Sequence, residues 1–82
     1  MSDQPDELET EIDNIVADRC GVEQEAFDDS TRFDGDILDA DSLDIVEIAE
    51  AIDANLGVYI PDEDLEEIQT VADVKNYVRN AV

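Results

Sequence analysis

Asp41-Ser42-Leu43-Asp44-Ile45-Val46-Glu47-Ile48-Ala49-Glu50-Ala51-Ile52 is the stretch on which the fold turns. Its apolar residues recur every three or four positions: Ile45, Ile48, Ala49, Ile52 and then Leu56 share one face of a helix. That spacing marks an amphipathic helix packed on a core. It predicts a helix from about Ser42 to Leu56, with Gly57 as its stop. Leu43 and Val46 fall on the other side, beside Glu47, Glu50 and Ala54. An exposed apolar pair ringed by carboxylates is a candidate partner surface. Ser42 stands where a loop gives way to this helix, with an acid before it and a leucine after it. The chain has no histidine, so this serine cannot be the nucleophile of a Ser-His-Asp triad. It reads better as an attachment point, a hydroxyl that another enzyme modifies. The plainer reading is a helix cap or first-turn residue, where serine is favoured. Asp41 can serve as the cap, so the two readings are compatible.

Upstream, Leu8, Ile12, Ile15 and Val16 form the stripe of a first helix, from about Asp6 to Cys20. Pro5 suits its first turn, Glu7, Glu9 and Glu11 suit its positive end, and Gly21 suits its C-terminal stop. Residues 1–5 are expected to be a flexible N-terminus. Between Gly21 and Asp41 lies a long connection, expected to be pinned by Phe33, Ile37 and Leu38. Downstream, Val58-Tyr59-Ile60-Pro61 reads as extended, because a residue before proline is pushed out of the helical region. Pro61 to about Ile68 holds one short helix with Leu65 and Ile68 facing in. Thr70 and Asp73 resemble a capping box for a last helix from Val71 to about Asn80, striped by Val71, Val74 and Val78. The expected fold is all-α: four helices, one of them short, with a long loop between the first and second and no strand pair.

With 82 residues the chain is read as a single domain, residues 1–82, with a modest core. Four basic residues face 25 acidic ones, for a formal charge of −21. Nucleic acid and anionic membrane surfaces are disfavoured, because both need Lys and Arg. A basic protein surface is the natural partner. No apolar run is long enough to span a bilayer, and the N-terminus lacks the pattern of a signal peptide, so a cytoplasmic location is expected. Fifteen of the acids are aspartate and Lys75 is the only lysine. Charge of this density opposes compaction at low salt and is screened at high salt, which suggests a halophilic protein in a salt-loaded cytoplasm. Cys20, the only cysteine, is expected to be a small buried apolar residue.

Several chemistries find no support. An EF-hand loop needs acids at alternate positions, Gly sixth and Glu twelfth. From Asp36 the third, fifth and sixth positions are Leu38, Ala40 and Asp41; from Asp34 the twelfth is Ile45. One cysteine and no histidine make zinc unlikely on chemical grounds, and no metal site is expected. The three glycines are isolated, so no phosphate-cradling loop is present. Carboxylates are everywhere and single out no acid–base pair. The chain is not expected to be an enzyme.

Asp41-Ser42-Leu43, opening a helix after a long loop, resembles the phosphopantetheine attachment motif of acyl carrier proteins. The resemblance runs from about Glu7 to Val78. Gly21-Val22 before an acidic stretch, Asp44 with Val46-Glu47, Ile60-Pro61-Asp62-Glu63, and Thr70-Val71 with Tyr77 follow the family in order. It implies an acyl-carrier-like four-helix bundle. It also implies that Ser42 carries 4′-phosphopantetheine, transferred from coenzyme A by a phosphopantetheinyl transferase, with Asp41 and Leu43 flanking it. The arm's thiol would hold acyl groups as thioesters for enzymes of fatty-acid or polyketide type with basic docking surfaces. Leu43, Asp44, Val46, Glu47 and Glu50 would meet those partners. Ile52, Ile60, Leu65, Ile68 and Val74 would line an acyl pocket, or equally a plain core. A monomer is expected. Three departures stand out: Asp39 where the family usually has Gly, one extra residue between Phe33 and Ser42, and Glu50 at an often apolar position. The alternatives are an aminoacyl or D-alanyl carrier of the same fold, and a non-carrier acidic adaptor with Ser42 unmodified.

Overall fold

The computed structural model of the protein describes residues 7–81. Four α-helices follow in order: α1 Glu7–Cys20, α2 Ser42–Leu56, α3 Asp62–Leu65 and α4 Val71–Ala81, with one 3₁₀ turn at Gln24–Ala26. No strand forms among the described residues; Arg32 and Thr70 make an isolated antiparallel bridge. The all-α expectation and the helix order hold. The proposed start of α1 at Asp6 and residues 1–5 lie outside the described residues.

The helices form where apolar spacing and end signals agree. In α1, Ile12, Ile15 and Val16 are buried. In α2 the buried set is Ile48, Ala49, Ala51 and Ile52, while Ile45 and Leu56 are half-buried at its margins. In α4 it is Val71, Val74 and Val78, and also Lys75. Helix α1 packs against both α2 and α4, and α2 against α3. Gly57 takes φ 73°, and its N–H donates to the Asp53 carbonyl at 2.9 Å. A side chain is strained in that left-handed region, which is why α2 stops there. The extended Val58–Ile60 segment alternates: Val58 and Ile60 are buried, Tyr59 points out.

The long loop is fastened rather than loose. Phe27, Phe33, Leu38 and Ala40 are buried in the core. Asp28 turns the chain: its Oδ1 accepts from Ser30 N at 3.0 Å and Ser30 Oγ at 2.7 Å. These bonds, the Ser30 side chain's first, hold the Asp28 carboxyl below its ordinary pKa. The loop also serves α4. The first N–H groups of a helix lack intrahelical acceptors. Here Val71 N donates to Thr31 O at 3.1 Å and Ala72 N to Asp29 O at 2.8 Å. The capping box adds to this: Asp73 Oδ2 accepts from Thr70 N at 3.1 Å and from Gln69 N at 2.9 Å, and Thr70 Oγ1 accepts from Asp73 N at 3.3 Å.

One expected pin fails. Ile37 is 51% exposed. Residues Gly35 to Asp39 form one turn, closed by Asp39 N donating to Gly35 O at 2.7 Å, and Ala40 N then returns to Phe33 O at 2.8 Å. A single turn offers few inward positions, and Leu38 occupies the one available. The same turn places Asp39 at φ 47°, where a non-glycine residue costs about 1 kcal/mol. Asp39→Gly is therefore expected to raise the melting temperature by about 3 °C. Asp39→Asn, which removes only the charge, separates electrostatics from backbone strain. A thermal melt in which Asp39→Gly falls below Asp39→Asn would refute this account of the turn.

Candidate functional site

The start of α2 is built by two aspartates. Asp41 is extended (φ −92°, ψ −174°), and its Oδ1 accepts from Asp44 N at 3.0 Å. Asp44 Oδ2 accepts in turn from Asp41 N at 3.2 Å. This reciprocal box satisfies backbone donors that would otherwise face only solvent. Asp44, expected to flank the serine for partners, thus has a structural task in addition. The sequence carried the signal, an acid three residues after an acid at a helix start, but aspartate is a short substitute for the usual Glu.

The box leaves Ser42 without a capping duty. Ser42 is the first residue of α2, is exposed, and its Oγ has no hydrogen-bond partner among the described residues. It sits on the lip of a groove of about 460 Å³ between the long loop, α2 and the α3 region. Phe33, Ile45, Val46, Leu65 and Ile68 make its apolar floor; Arg32, Asp34, Asp62 and Glu66 stand around it. Such an arrangement suits a covalent phosphodiester on Ser42. The hydroxyl is accessible, the helix start offers positive dipole to an anion, and a groove lies beside it for an attached arm.

The remaining candidate residues divide by position. Leu43 is 64% exposed, and Glu50 is exposed. Val46 and Glu47 are half-buried. Val46 therefore does not stand free on the outer face: it forms part of the groove that Ser42 overlooks. Ile52, Ile60, Leu65, Ile68 and Val74 are brought together, lining one internal void with Phe33, Ile45, Ile48 and Ala49. The void measures about 10 Å³, at the limit of what one water molecule needs. It shares Phe33, Ile45, Leu65 and Ile68 with the groove, so these four side chains form the wall between the two. Sequence reasoning gave Phe33 and Ile45 only core roles, because their place in this wall depends on the path of the loop.

Other polar groups explain themselves locally. Tyr77 Oη donates to Asp64 Oδ2 at 2.7 Å, tying α4 to α3, and this bond first of all raises the tyrosine pKa. Cys20 is half-buried, and burial, then the charge of Asp44, pushes its thiol pKa up. It is a poor nucleophile at neutral pH. Arg79 pairs with Glu9, joining α4 to α1.

Known proteins are similar to this chain over most of its length. Residues 10–78 match the family model described as "Phosphopantetheine attachment site". The acyl carrier protein of Akkermansia muciniphila is 40% identical over 78 residues, covering 95% of this chain and 94% of the relative. That of Chloroherpeton thalassium is 40% identical over 73 residues, covering 89% and 90%.

Proposed function

Because the chain belongs to the acyl carrier protein family, we propose that Ser42 Oγ is the point at which its 4′-phosphopantetheine arm is attached. The observation that carries this is a hydroxyl at the first position of α2, exposed, with no hydrogen bond among the described residues, at the edge of a groove. When bound, the arm supplies a terminal thiol that holds acyl groups as thioesters. The protein's own residues do the rest. Asp41 and Asp44 fix the helix start and so fix the direction in which Ser42 points. A phosphopantetheinyl transferase would load the arm from coenzyme A.

Leu43, Glu47 and Glu50, with Asp44 at the helix start, form the face offered to partners, and Val46 is its border with the groove. Those partners are acyl-processing enzymes of fatty-acid or polyketide type with basic surfaces, since a chain of charge −21 steers toward cations and away from anions. The internal void is the closed state of an acyl site. Ile52, Ile60 and Val74 line it from within, and separation of Phe33, Ile45, Leu65 and Ile68 would join it to the groove. The cargo is an acyl chain rather than an aminoacyl group, because the walls of that void are wholly apolar. Protein purified from its native host and treated with neutral hydroxylamine should release alkanoyl or ketoacyl hydroxamates, identified by mass spectrometry. Release of amino acid hydroxamates would overturn the cargo assignment.

We further read the whole chain, residues 1–82, as one monomeric carrier domain working in a salt-loaded cytoplasm. Electrostatic size supports the last point. The radius of gyration is 11.9 Å, while the Debye length is about 30 Å at 0.01 M salt and about 3 Å at 1 M. In dilute buffer every carboxylate therefore feels all the others. The melting temperature is expected to rise by about 10 °C or more between 0.01 M and 1 M KCl. A melt that does not move with KCl would rule out the halophilic reading.

A further inference from the structure

The cations of this chain are scarce, and their places are informative. Lys75 is buried, and Arg79 holds α1 to α4. Among the described residues, Arg32 is the only basic one lining the groove that Ser42 overlooks. From this placement we infer that Arg32 is a positioning residue for the arm, donating a hydrogen bond to the phosphodiester that joins it to Ser42. The inference rests on Ser42 being the attachment point.

The backbone around Arg32 is fixed on both sides. Phe33 N donates to Gln69 O at 2.9 Å and Thr31 O accepts from Val71 N at 3.1 Å. Phe33 itself is 1% exposed, so the loop cannot carry Arg32 away from the groove without opening the core. The side chain is held as well. Its Nε donates to Asp34 Oδ1 at 3.0 Å, its Nη2 to Asp34 Oδ2 at 3.3 Å, and its Nη1 to Gln69 Oε1 at 3.3 Å. A guanidinium has five N–H donors. Three are used here, which leaves one on each Nη, and about half of the side chain remains open to solvent.

Charge gives the arrangement its purpose. Esterification of Ser42 adds an anion beside Asp41, in a groove already ringed by Asp34, Asp62 and Glu66. Each of these repels a phosphodiester; among the described side chains lining the groove, Arg32 alone adds attraction to that of the helix start. A guanidinium can bridge Asp34 and a phosphate oxygen at once, because its donors point in different directions. Asp34 then orients the fork instead of consuming it. The result is an arm whose first segment is drawn along the groove, toward the wall of Phe33, Ile45, Leu65 and Ile68, rather than released into solvent.

The test compares unloaded and loaded protein for wild type, Arg32→Gln and Arg32→Lys at one fixed KCl concentration. Loading is verified by intact mass. The ³¹P chemical shift of the phosphodiester is expected to differ between wild type and Arg32→Gln. Loading should change the melting temperature of Arg32→Gln less favourably than that of wild type, by about 3 °C. Arg32→Lys, which keeps the charge and loses the fork, should fall between. Comparing the change on loading cancels whatever Arg32 contributes to the unloaded fold. Full loading of all three with the same ³¹P shift and the same temperature change would overturn the role of Arg32 alone. Failure of wild type to load would overturn the assignment of Ser42, and this inference with it.

Discussion

Lys75→Ala is expected to lower the melting temperature by about 10–20 °C, corresponding to about 2–3 kcal/mol in a domain of this size. The reason lies in where the only lysine sits. Lys75 is 6% exposed, and its Nζ contacts Asp29 Oδ1 of the long loop at 2.6 Å and Asp13 Oδ1 of α1 at 3.0 Å. One ammonium thus joins α1, α4 and the loop. Its removal leaves two carboxylates facing each other in a chain already at −21. Both can turn partly to solvent, which keeps the cost below that of a fully buried pair broken on one side. A domain of 82 residues has a total stability of only about 4–12 kcal/mol, so the loss is a large share. Lys75→Met, which keeps most of the apolar stem, should recover part of the packing and none of the ion pairing. Calorimetry showing Lys75→Met as stable as wild type would sink the argument.

The pH dependence of this contact follows from its pKa. Burial alone would push the Lys75 pKa down; hydrogen bonds and charge from Asp29 and Asp13 outweigh it, so the net direction is up. A raised lysine pKa stabilises fully below the unfolded value of about 10.4 and loses its effect as pH rises through the folded value. A carboxylate whose pKa is lowered behaves oppositely. Asp73 is lowered, first by its hydrogen bond from Gln69 N. Its contribution is present above the unfolded aspartate value of about 3.9 and is lost as pH falls through the lower folded value. Between those ends the contributions of Lys75 and Asp73 are both present.

The helices were legible because several local signals coincide in each. Helix α2 has its apolar face, its acid at the cap and Gly57 at φ 73°; α4 has the Thr70–Asp73 capping box across its first turn and its valine stripe. Lys75 was the visible miss. It lies four residues after Val71 and three before Val78, on the inward stripe itself, and only the habit of reading lysine as surface hides it. The loop was legible in part. Phe33 and Leu38 are buried as expected, but Ile37 is out and Phe27 and Ala40 are in. No periodicity governs such a segment: its path is set by the turn from Gly35 to Asp39 and by bonds to α4 far away in sequence. The groove inherits this limit. Ser42, Val46 and Leu65 could be named from motif and stripe, whereas Arg32 and Phe33 reach it only through that loop path.

The second large effect concerns Ser42, and it is all or none. Transfer of the arm breaks the pyrophosphate bond of coenzyme A, releases adenosine 3′,5′-bisphosphate and the serine proton, and forms a phosphodiester to the side-chain oxygen, so Ser42→Ala removes the only bonding atom at that position. The fold should be indifferent to the change. Ser42 is exposed, its Oγ has no partner among the described residues, and the cap belongs to Asp41 and Asp44. Surface substitutions of this kind stay within about 0.5 kcal/mol. Loss of loading in a protein with an unchanged melt therefore reports chemistry and not misfolding. The deciding measurement is the intact mass of wild type and Ser42→Ala after incubation with coenzyme A, magnesium and a broad-specificity phosphopantetheinyl transferase, in KCl and beside a carrier known to load. The account predicts one phosphopantetheinyl group added to wild type and none to Ser42→Ala. Wild type that stays unmodified while the control carrier loads, or Ser42→Ala that still gains the group, would contradict it.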